Sequence, residues 1–397
     1  MRWRVGLVLV LILVAAGTVN YLRPIPTAIA TSLIPASVNI KGTPPSLPWP
    51  SHGSAAVGLQ GLGFIASSGN EQAIPAASIT KVMTALVVLK DKPLQKGETG
   101  PTITLTDADV QAYQADLQSG QSVVKVEAGE QLTELQMLEG MLIPSANNLA
   151  ETAARWDAGS GTSFVAKMNG RATELHLSHT KFADTSGASA GSVSTASDLL
   201  ALGMAAMQND VFAQIVAMGQ VTLPVAGIVY NVNAALTHTG IIGIKTGSGL
   251  DTGANFLFAA NAKVDSSTIV VYGCVMGQPT LDAAFTAAEN LITTMSSAVH
   301  VQRVLERNQT VAIYNTQWGE QADVVSLFDV DLVEWPGMVL RQRIDSPQLA
   351  MDKPLPPGTR AGKVHFTLGD YDFDVSLATA NQLYPPGRFW RLTRVAI

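Results

Sequence analysis

The sequence predicts a mixed α+β protein (α/β in the broad sense), in which a large domain of helices and strands precedes a small all-β domain. Apolar segments of helical length alternate with polar turns between residues 78 and 207. Three segments typical of strands follow between residues 241 and 276. Beyond His300 the pattern changes to short, partly alternating runs separated by turns that contain Pro and Gly. The 397 residues are enough for two or three domains, each with its own core.

The composition argues against several classes of protein. Hydrophobic residues make up 47% of the chain and charged residues only 14%, which is typical of a globular protein rather than a disordered one. The net charge of -6 and the lack of a Lys/Arg cluster argue against a nucleic-acid partner. The six histidines have no ligand spacing, so we expect neither a metal site nor a cofactor. The single cysteine, Cys274, lies in an apolar run and is expected to be a buried, unpaired side chain.

The N-terminus has the features of an export signal. Arg2 and Arg4 precede an apolar stretch over residues 5–19, which is short for a membrane-spanning helix and favours a signal peptide. Ala28-Ile29-Ala30 offers a small-residue cleavage pattern, but Arg23 and two prolines separate it from the apolar stretch. We therefore expect residues 1–30 to be either a signal peptide or an N-terminal membrane anchor. In both cases the body of the chain is expected to be extracytoplasmic.

A segment rich in Pro, Ser and Gly follows this stretch. Residues 31–56 contain Pro35, Pro44, Pro45, Pro48 and Pro50, a composition that predicts an extended linker without a core of its own. The large mixed domain is then expected over residues 57–299. The small β-rich domain is expected over residues 300–397.

Hydrophobic periodicity places the main elements of both domains. The stretch from Ser78 to Lys90 leaves almost no polar face, which predicts a buried helix that begins near Ser78. The other expected helices cover residues 132–143, 149–156, 164–175, 196–207 and 281–299. The expected strands cover residues 55–67, 241–246, 254–262, 267–276, 311–314, 324–328, 330–334, 338–344, 362–368 and 371–377.

Lys81 is the unusual residue of the first buried helix. A lysine among apolar neighbours pays a desolvation penalty unless its charge is paired or its pKa is lowered. Ser78 lies three residues earlier and therefore on the same helix face. A hydroxyl group beside an amine of lowered pKa is a nucleophile with its own base, and backbone N–H groups at a helix start supply half of an oxyanion hole. The pattern is common by chance, and we interpret its second copy, Ser178-His-Thr-Lys181, as a polar turn.

Three motifs occur along the chain in a fixed order, and a chance match of all three is a poor explanation. Ser78-Ile-Thr-Lys81 opens a buried helix, Ser145-Ala-Asn147 lies between two helices, and Lys245-Thr246-Gly247 ends a strand. Penicillin-recognising serine enzymes have these motifs in this order. The chain resembles the serine-type D-Ala-D-Ala carboxypeptidases, the low-molecular-mass penicillin-binding proteins. Further similar segments are residues 74–86, 142–150, 182–187, 194–198, 231–233 and 243–247, and the resemblance covers about residues 57 to 298.

The resemblance implies a fold and also has departures. It implies a penicillin-binding, β-lactamase-like domain with a central antiparallel sheet flanked by helices and an all-helical subdomain, followed by a small all-β C-terminal domain. The family usually has Gly-Asn-Asp after the serine of the second motif, whereas this chain has Ala146-Asn147-Asn148. Residues 248–253 also differ from the commoner aromatic continuation. These departures concern substrate preference more than mechanism, because the polar groups of the three motifs are present.

The resemblance also implies a role for each motif residue. Ser78 would attack the carbonyl of the penultimate D-Ala while Lys81 takes its proton, and Ser145 would relay that proton to the leaving amine. An acyl-enzyme would form and be hydrolysed. The implied substrate-binding residues are Asn147, Lys245, Thr246, Gly247 and Ser248, the last through its backbone N–H. The implied partners are peptidoglycan peptides ending in D-Ala-D-Ala and, as covalent inhibitors, β-lactam antibiotics.

Three alternative functions stay open. A D,D-endopeptidase that cuts cross-links is barely separated from a carboxypeptidase by the sequence. A serine β-lactamase of the best-known class deacylates with the glutamate of a Glu-x-x-Leu-Asn segment, and Glu151 and Glu174 are not followed by Leu-Asn in that way. Long-lived penicillin adducts are therefore expected. A catalytically silent wall-binding protein would typically lose the nucleophile or the lysine, and both are present.

Overall fold

The computed structural model of the protein describes residues 2–69, 72–249 and 252–394. Contacts between Cα atoms divide the chain into two compact units, one over residues 44–299 and one that combines residues 2–43 with residues 300–394. The helices are Arg2–Leu22 (α1), Thr80–Asp91 (α2), Asp107–Gln118 (α3), Glu134–Leu142 (α4), Asn147–Ala158 (α5), Gly161–Glu174 (α6), Ala196–Ala206 (α7), Asp210–Val216 (α8), Leu281–Ala298 (α9) and Arg388–Thr393 (α10).

The strands range from two-residue pairings to twelve-residue strands. They are Ile29–Ser32 (β1), Ser37–Asn39 (β2), Ser54–Leu59 (β3), Gly63–Ser67 (β4), Ile74–Pro75 (β5), Thr102–Thr104 (β6), Gln131–Thr133 (β7), Val193–Ser194 (β8), Gln220–Leu223 (β9), Gly227–Tyr230 (β10), Ile241–Gly249 (β11), Gly253–Val264 (β12), Ser267–Gln278 (β13), His300–Leu305 (β14), Thr310–Asn315 (β15), Gln321–Ser326 (β16), Val330–Glu334 (β17), Val339–Asp345 (β18), Arg360–Leu368 (β19) and Tyr371–Thr379 (β20).

The larger unit is built on a five-stranded antiparallel sheet in the order β11-β12-β13-β3-β4. Helices α7 and α9 pack against this sheet. Helices α2 to α6 and α8 form the helical part of the unit, and α2 lies at its centre, in contact with α4, α5, α6 and α7. Apolar side chains from these helices and the sheet join in one core that includes Cys274. The predicted fold class, a central antiparallel sheet with helices and a helical subdomain, is confirmed.

Helix α2 is buried as predicted and begins two residues after Ser78. Residues 80–89 are all buried, as the absence of a polar face predicts. However, Ser78 does not cap the helix. It lies in a 3₁₀ turn over Ala77–Ile79, and Ile79 is the N-cap residue, without a side-chain hydrogen bond to the first turn.

The helix predicted over residues 132–143 begins later than expected. Residues 131–133 form strand β7, and α4 begins at Glu134. Thr133 caps this helix, because its hydroxyl oxygen accepts from the Gln136 N–H at 3.2 Å while the Gln136 side chain accepts from the Thr133 N–H at 3.0 Å. These two reciprocal hydrogen bonds fix the start of the helix at Glu134. The apolar periodicity continues to residue 132 and therefore predicts a start that is too early.

The smaller unit contains a seven-stranded antiparallel sheet in the order β1-β15-β16-β20-β19-β18-β2, together with the β14–β17 pair. The linker predicted over residues 31–56 is wrong in its first part. Strand β1 pairs with β15 and strand β2 pairs with β18, so both edges of the sheet come from the N-terminal segment. Strand β3, at the end of the predicted linker, belongs to the sheet of the larger unit. Proline and glycine content indicates an extended backbone but not whether a distant strand pairs with it.

The N-terminal helix α1 carries exposed apolar side chains over most of its length. Among the described residues, no single helix is both long and apolar enough to cross a membrane, and the apolar part of α1 covers Gly6–Leu22. One bent pair of helices, α7 with α8, passes the same test by length and composition only.

Candidate active site

The 3₁₀ turn that carries Ser78 and the first turn of α2 bring Ser78 and Lys81 into direct contact. The Lys81 Nζ atom donates to the Ser78 Oγ atom at 2.9 Å, to the Asn147 Oδ1 atom at 2.6 Å and to the Ser186 carbonyl oxygen at 2.8 Å. The three acceptors are neutral oxygens from three different segments of the chain. The Lys81 side chain has no solvent exposure, whereas Ser78 is half-buried.

The surroundings of Lys81 favour its neutral form. Burial lowers the pKa of the Lys81 amine well below its ordinary value, and the positive charge of Lys245 lowers it further. The carboxylates of Asp184 and Asp116 act in the opposite direction and raise it. Burial also lowers the pKa of Lys245, to about 7. In the neutral form the two N–H groups of Lys81 can donate to Asn147 and Ser186, and the lone pair can accept the proton of the Ser78 hydroxyl group 2.9 Å away, which is the requirement for a general base.

The turn before Ser78 is held from several sides. Ala77 has a positive φ of 50°, which is uncommon for a residue with a side chain. The Ala76 N–H donates to the Ser192 carbonyl at 2.9 Å, and the buried Asn255 side chain donates to the Pro75 carbonyl at 3.0 Å. These contacts keep the backbone of the turn in a conformation that presents Ser78.

Asn147 is fixed by the loop that follows α3. Its Nδ2 atom donates to the Gln121 Oε1 atom at 3.0 Å, and its backbone N–H donates to the Ser122 carbonyl at 2.8 Å. These contacts leave its Oδ1 atom directed at Lys81. Gln121 therefore sets which end of the Asn147 amide faces the lysine.

Strand β11 approaches the Ser78 turn at Gly247. A Cβ atom on Gly247 would lie 2.9 Å from the Ala76 carbonyl oxygen and 3.1 Å from the Ser78 backbone nitrogen. Only glycine permits this separation between the strand and the turn. Lys245, on the same strand, is buried and donates to the Thr246 carbonyl at 3.2 Å.

The structure thus brings most of the predicted site residues to one place. Ser78, Lys81 and Asn147 are joined by hydrogen bonds, and Gly247 brings the strand of Lys245 and Thr246 against the same turn. The buried Ser145 lies in the loop just before α5, with a positive φ of 68°. Among the described residues, its hydroxyl group has no hydrogen bond to Ser78 or Lys81. Ser248 is exposed near the end of β11.

Sequence reasoning did not assign site positions to Gln121, Asp184 and Ser186. Gln121 fixes Asn147, and Ser186 contributes a backbone carbonyl to Lys81. Asp184 organises the loop that carries this carbonyl. The similarity of residues 182–187 to a family segment marks the loop, but a backbone contact leaves no signal in side-chain chemistry. Within the described part of the chain, no group of three or more His, Cys, Asp and Glu side chains is placed to hold a metal ion.

Comparison with known proteins shows the family of the chain. The profile of the D-alanyl-D-alanine carboxypeptidase family matches residues 62–280, more than half of the chain. The chain belongs to this family. The matched residues contain all three motifs and most of the five-stranded sheet.

Individual relatives differ in the reaction that their names state. The D-alanyl-D-alanine carboxypeptidase DacF of Bacillus subtilis is 28% identical over 261 residues, which are 64% of each chain. A D-alanyl-D-alanine endopeptidase of Pseudomonas aeruginosa is 33% identical over 41% of this chain and 49% of its own. A solved structure of a mutant Streptomyces K15 DD-transpeptidase is 25% identical, with a TM-score of 0.55, over 63% of this chain and 98% of that chain. The chain spans less than two thirds of the length of both curated relatives.

Proposed function

We propose that the protein is a serine-type D-Ala-D-Ala carboxypeptidase, which removes the terminal D-Ala from peptidoglycan stem peptides through an acyl-enzyme on Ser78. One observation carries this proposal. The Nζ atom of an entirely buried lysine, Lys81, lies 2.9 Å from the hydroxyl oxygen of the half-buried Ser78. Burial and Lys245 lower the pKa of this lysine, which favours the neutral amine that can take the hydroxyl proton.

The remaining site residues fit the steps of an acyl transfer. Ser78 attacks the carbonyl carbon of the penultimate D-Ala, and its proton moves to Lys81. The backbone N–H of Ser78, beside β11, supports the developing oxyanion together with that of Ser248. The positive charge of Lys245 and the hydroxyl group of Thr246 receive the terminal carboxylate, and Ser145 passes the proton to the leaving amine. Free D-Ala departs, and water hydrolyses the acyl-enzyme.

β-Lactam antibiotics would use the same serine. Their strained amide carbonyl occupies the place of the scissile carbonyl, so that attack by Ser78 opens the ring and leaves a penicilloyl ester on the enzyme. We propose that this ester is long-lived, since the chain lacks the Glu-x-x-Leu-Asn segment of the best-known β-lactamases after Asn147.

A direct test combines product release with labelling. Purified protein should release D-Ala from an acylated L-Lys-D-Ala-D-Ala peptide and become labelled by a fluorescent penicillin on the peptide that contains Ser78. Ser78→Ala should lower D-Ala release by roughly 10⁴-fold or more. The matched control is Ser178→Ala, since Ser178 is the exposed serine of the second Ser-x-x-Lys copy and should be dispensable. Undiminished release by Ser78→Ala would refute the proposal.

The Pseudomonas aeruginosa relative favours D,D-endopeptidase action as the second candidate. Both reactions use the same acyl-enzyme and differ in the leaving group, which is free D-Ala in one case and a second stem peptide in the other. Incubation with cross-linked dimeric muropeptides and with monomeric pentapeptides separates the two. Cleavage of the dimer without release of D-Ala from the monomer would replace the carboxypeptidase proposal. Labelling by penicillin without turnover of either substrate would favour a wall-binding protein.

We also propose that the protein acts outside the cytoplasm, where peptidoglycan lies, and that α1 is retained as its membrane attachment. The last turn of α1 and the residues after it are bonded to the C-terminal segment. Arg394 donates to the Asn20 and Arg23 carbonyls at 2.7 Å, and Arg391 donates to the Tyr21 carbonyl at 2.9 Å. The small-residue pattern 28–30 lies within paired backbone, and cleavage after Ala30 would remove half of strand β1.

Mass spectrometry of the mature N-terminus tests this attachment. Protein isolated from the membranes of an exporting host should yield an N-terminal peptide that begins at residue 1 or 2. It should also stay with the membrane fraction after a high-salt wash. A mature chain that begins at Thr31 would contradict the retention of α1.

A further inference from the structure

The carbonyl group that contacts Lys81 belongs to a loop, residues 183–192, whose contacts converge on one carboxylate. We propose that Asp184 is a positioning residue for the Ser78–Lys81 pair, acting through this loop rather than on the substrate. The inference rests on the function proposed above, because it assumes that this pair performs the acyl transfer.

Asp184 accepts hydrogen bonds from both ends of its own loop. The Oδ2 atom accepts from the N–H groups of Ser186, Gly187 and Ala188 at 3.2, 2.8 and 2.9 Å, and from the Ser186 hydroxyl group at 2.9 Å. The Oδ1 atom accepts from the Ser192 hydroxyl group. Ser192 is completely buried, and its Oγ atom also accepts from the Ala183 N–H at 3.0 Å. The carboxylate of Asp184 thus joins the two ends of the loop by hydrogen bonds.

The closed loop then contacts the catalytic helix at two successive carbonyls. Ser186 presents its carbonyl oxygen to Lys81 at 2.8 Å, and Thr185 presents its own to the Thr84 hydroxyl group at 2.6 Å. Lys81 and Thr84 are three residues apart on α2, so the two contacts fix the loop along one helix face. The position of the lysine amine therefore depends on the loop conformation.

The same loop also contacts the turn that carries the nucleophile. The Ser192 carbonyl accepts from the Ala76 N–H at 2.9 Å. Gly187 lies so close to Ala77 that a Cβ atom on it would be 1.8 Å from the Ala77 carbonyl oxygen. Asp184 bonds directly to Gly187 and Ser192, so one side chain sets both contacts with the turn. It therefore links the position of the Ser78 backbone to the position of the Lys81 amine.

Asp184 has an electrostatic effect that must be separated from its positioning effect. The charged groups that face Lys81 are Lys245 on β11, Asp116 on α3 and Asp184 on the loop. Lys245 lowers the pKa of Lys81, and the two carboxylates raise it. Removing either carboxylate charge should lower this pKa further and move the acidic limb of the rate profile to lower pH. Asp116 makes no hydrogen bond to the loop of residues 183–192, so Asp116→Asn measures the electrostatic effect alone.

The experiment compares three substitutions of one kind in the full-length protein, namely Asp184→Asn, Asp116→Asn and Asp109→Asn. Asp109 is a matched control, since it is a buried carboxylate that accepts from Thr106, Thr152 and Arg155, away from Lys81. The measurements are kcat for D-Ala release and the rate of acylation by a fluorescent penicillin, both as a function of pH, with thermal melting to follow stability.

We expect Asp184→Asn to lower the maximal rate by roughly 10- to 100-fold, since small displacements of reacting groups have effects of this size. It should also shift the acidic limb to lower pH. Asp116→Asn should shift the acidic limb to lower pH and leave the maximal rate unchanged. Asp109→Asn should lower the melting temperature and leave the pH dependence of the rate unchanged. A wild-type maximal rate for Asp184→Asn overturns the inference. An inactive, unlabelled wild-type protein would instead overturn the proposed function.

A second variant covers the case in which Asp184→Asn does not fold. Ser192→Ala removes the donor to Asp184 Oδ1 but keeps the backbone carbonyl that receives the Ala76 N–H. Ser192 carries no charge, so this variant should lower the maximal rate, by roughly 3- to 10-fold, and leave the acidic limb in place. An unchanged maximal rate in the folded Ser192→Ala protein also overturns the inference.

Discussion

The approach of strand β11 to the Ser78 turn at Gly247 gives the sharpest structural prediction, which is the substitution Gly247→Ala. The new Cβ atom would lie 2.9 Å from the Ala76 carbonyl oxygen, 3.1 Å from the Ala77 Cβ atom and 3.1 Å from the Ser78 nitrogen, whereas ordinary contacts begin at 3.4 Å. Two of these three neighbours are backbone atoms, which have no rotamer by which to move aside. The strand and the turn must therefore separate by about half an ångström.

This separation should affect activity more than stability. Gly247 does not have a positive φ, so alanine introduces no backbone strain there and only the steric contact matters. A change of one methyl group in a packed region costs about 1–3 kcal/mol of stability. Displacement of the Ser78 N–H and of β11 by about half an ångström should slow acylation by roughly 10-fold, since displacements of about 1 Å cost about 10²-fold.

The assay is the rate of labelling by a fluorescent penicillin, with thermal melting measured in parallel. The matched control is Gly203→Ala in α7, where the Cβ atom would meet the Leu257 Cδ1 atom at 2.8 Å and the Ile244 Cδ1 atom at 3.1 Å. These atoms are the ends of flexible side chains, and alanine favours a helix more than glycine does. The labelling rate and the melting temperature of this control should therefore stay close to those of the wild type. Equal labelling rates for Gly247→Ala and the wild type would refute the reasoning.

Two further predictions concern charge. Lys245→Gln removes a positive charge that lowers the pKa of Lys81, so this pKa should rise and the acidic limb of the acylation rate should move to higher pH, opposite to the shift expected for Asp116→Asn. If the acidic limb of the Lys245→Gln protein lay at the same pH as that of the wild type, Lys245 would not act on the pKa of Lys81. Burial raises the pKa of the Glu134 carboxyl group to about 7, and its Oε1 atom has no hydrogen-bond partner. Because the folded state holds this proton more tightly than the unfolded state, stability should fall as the pH rises from about 4.5 to 7. Glu134→Gln should therefore stabilise the protein by up to about 3 kcal/mol at pH values above 7 and by little at pH 4, as measured by urea unfolding. Equal stabilisation by Glu134→Gln at both pH values would contradict the raised pKa of the Glu134 carboxyl group.

Much of the larger unit follows from local sequence patterns. Helix α2 has almost no polar face and carries Lys81 among apolar residues, and this pattern alone predicts both its burial and the unusual chemistry of the lysine. Helix α9 begins after Thr280, as predicted, because the Thr280 hydroxyl group accepts from the Ala283 N–H at 3.1 Å. Helix α3 was not predicted, since its apolar residues are few and only Asp109 in it is buried.

The sequence by itself determined the three motifs, their order and the pairing of Ser78 with Lys81, because residues three apart in a 3₁₀ turn that continues into a helix are neighbours without any tertiary contact. Only the tertiary structure decided which groups complete the surroundings of this pair. The Ser186 carbonyl, the Gln121 side chain and the approach of Gly247 come from segments between 43 and 169 residues from Ser78 along the chain. The pairing of β1 and β2 with β15 and β18 is likewise a tertiary result. Backbone hydrogen bonds between distant segments depend on where the chain brings them, and side-chain patterns do not encode that position.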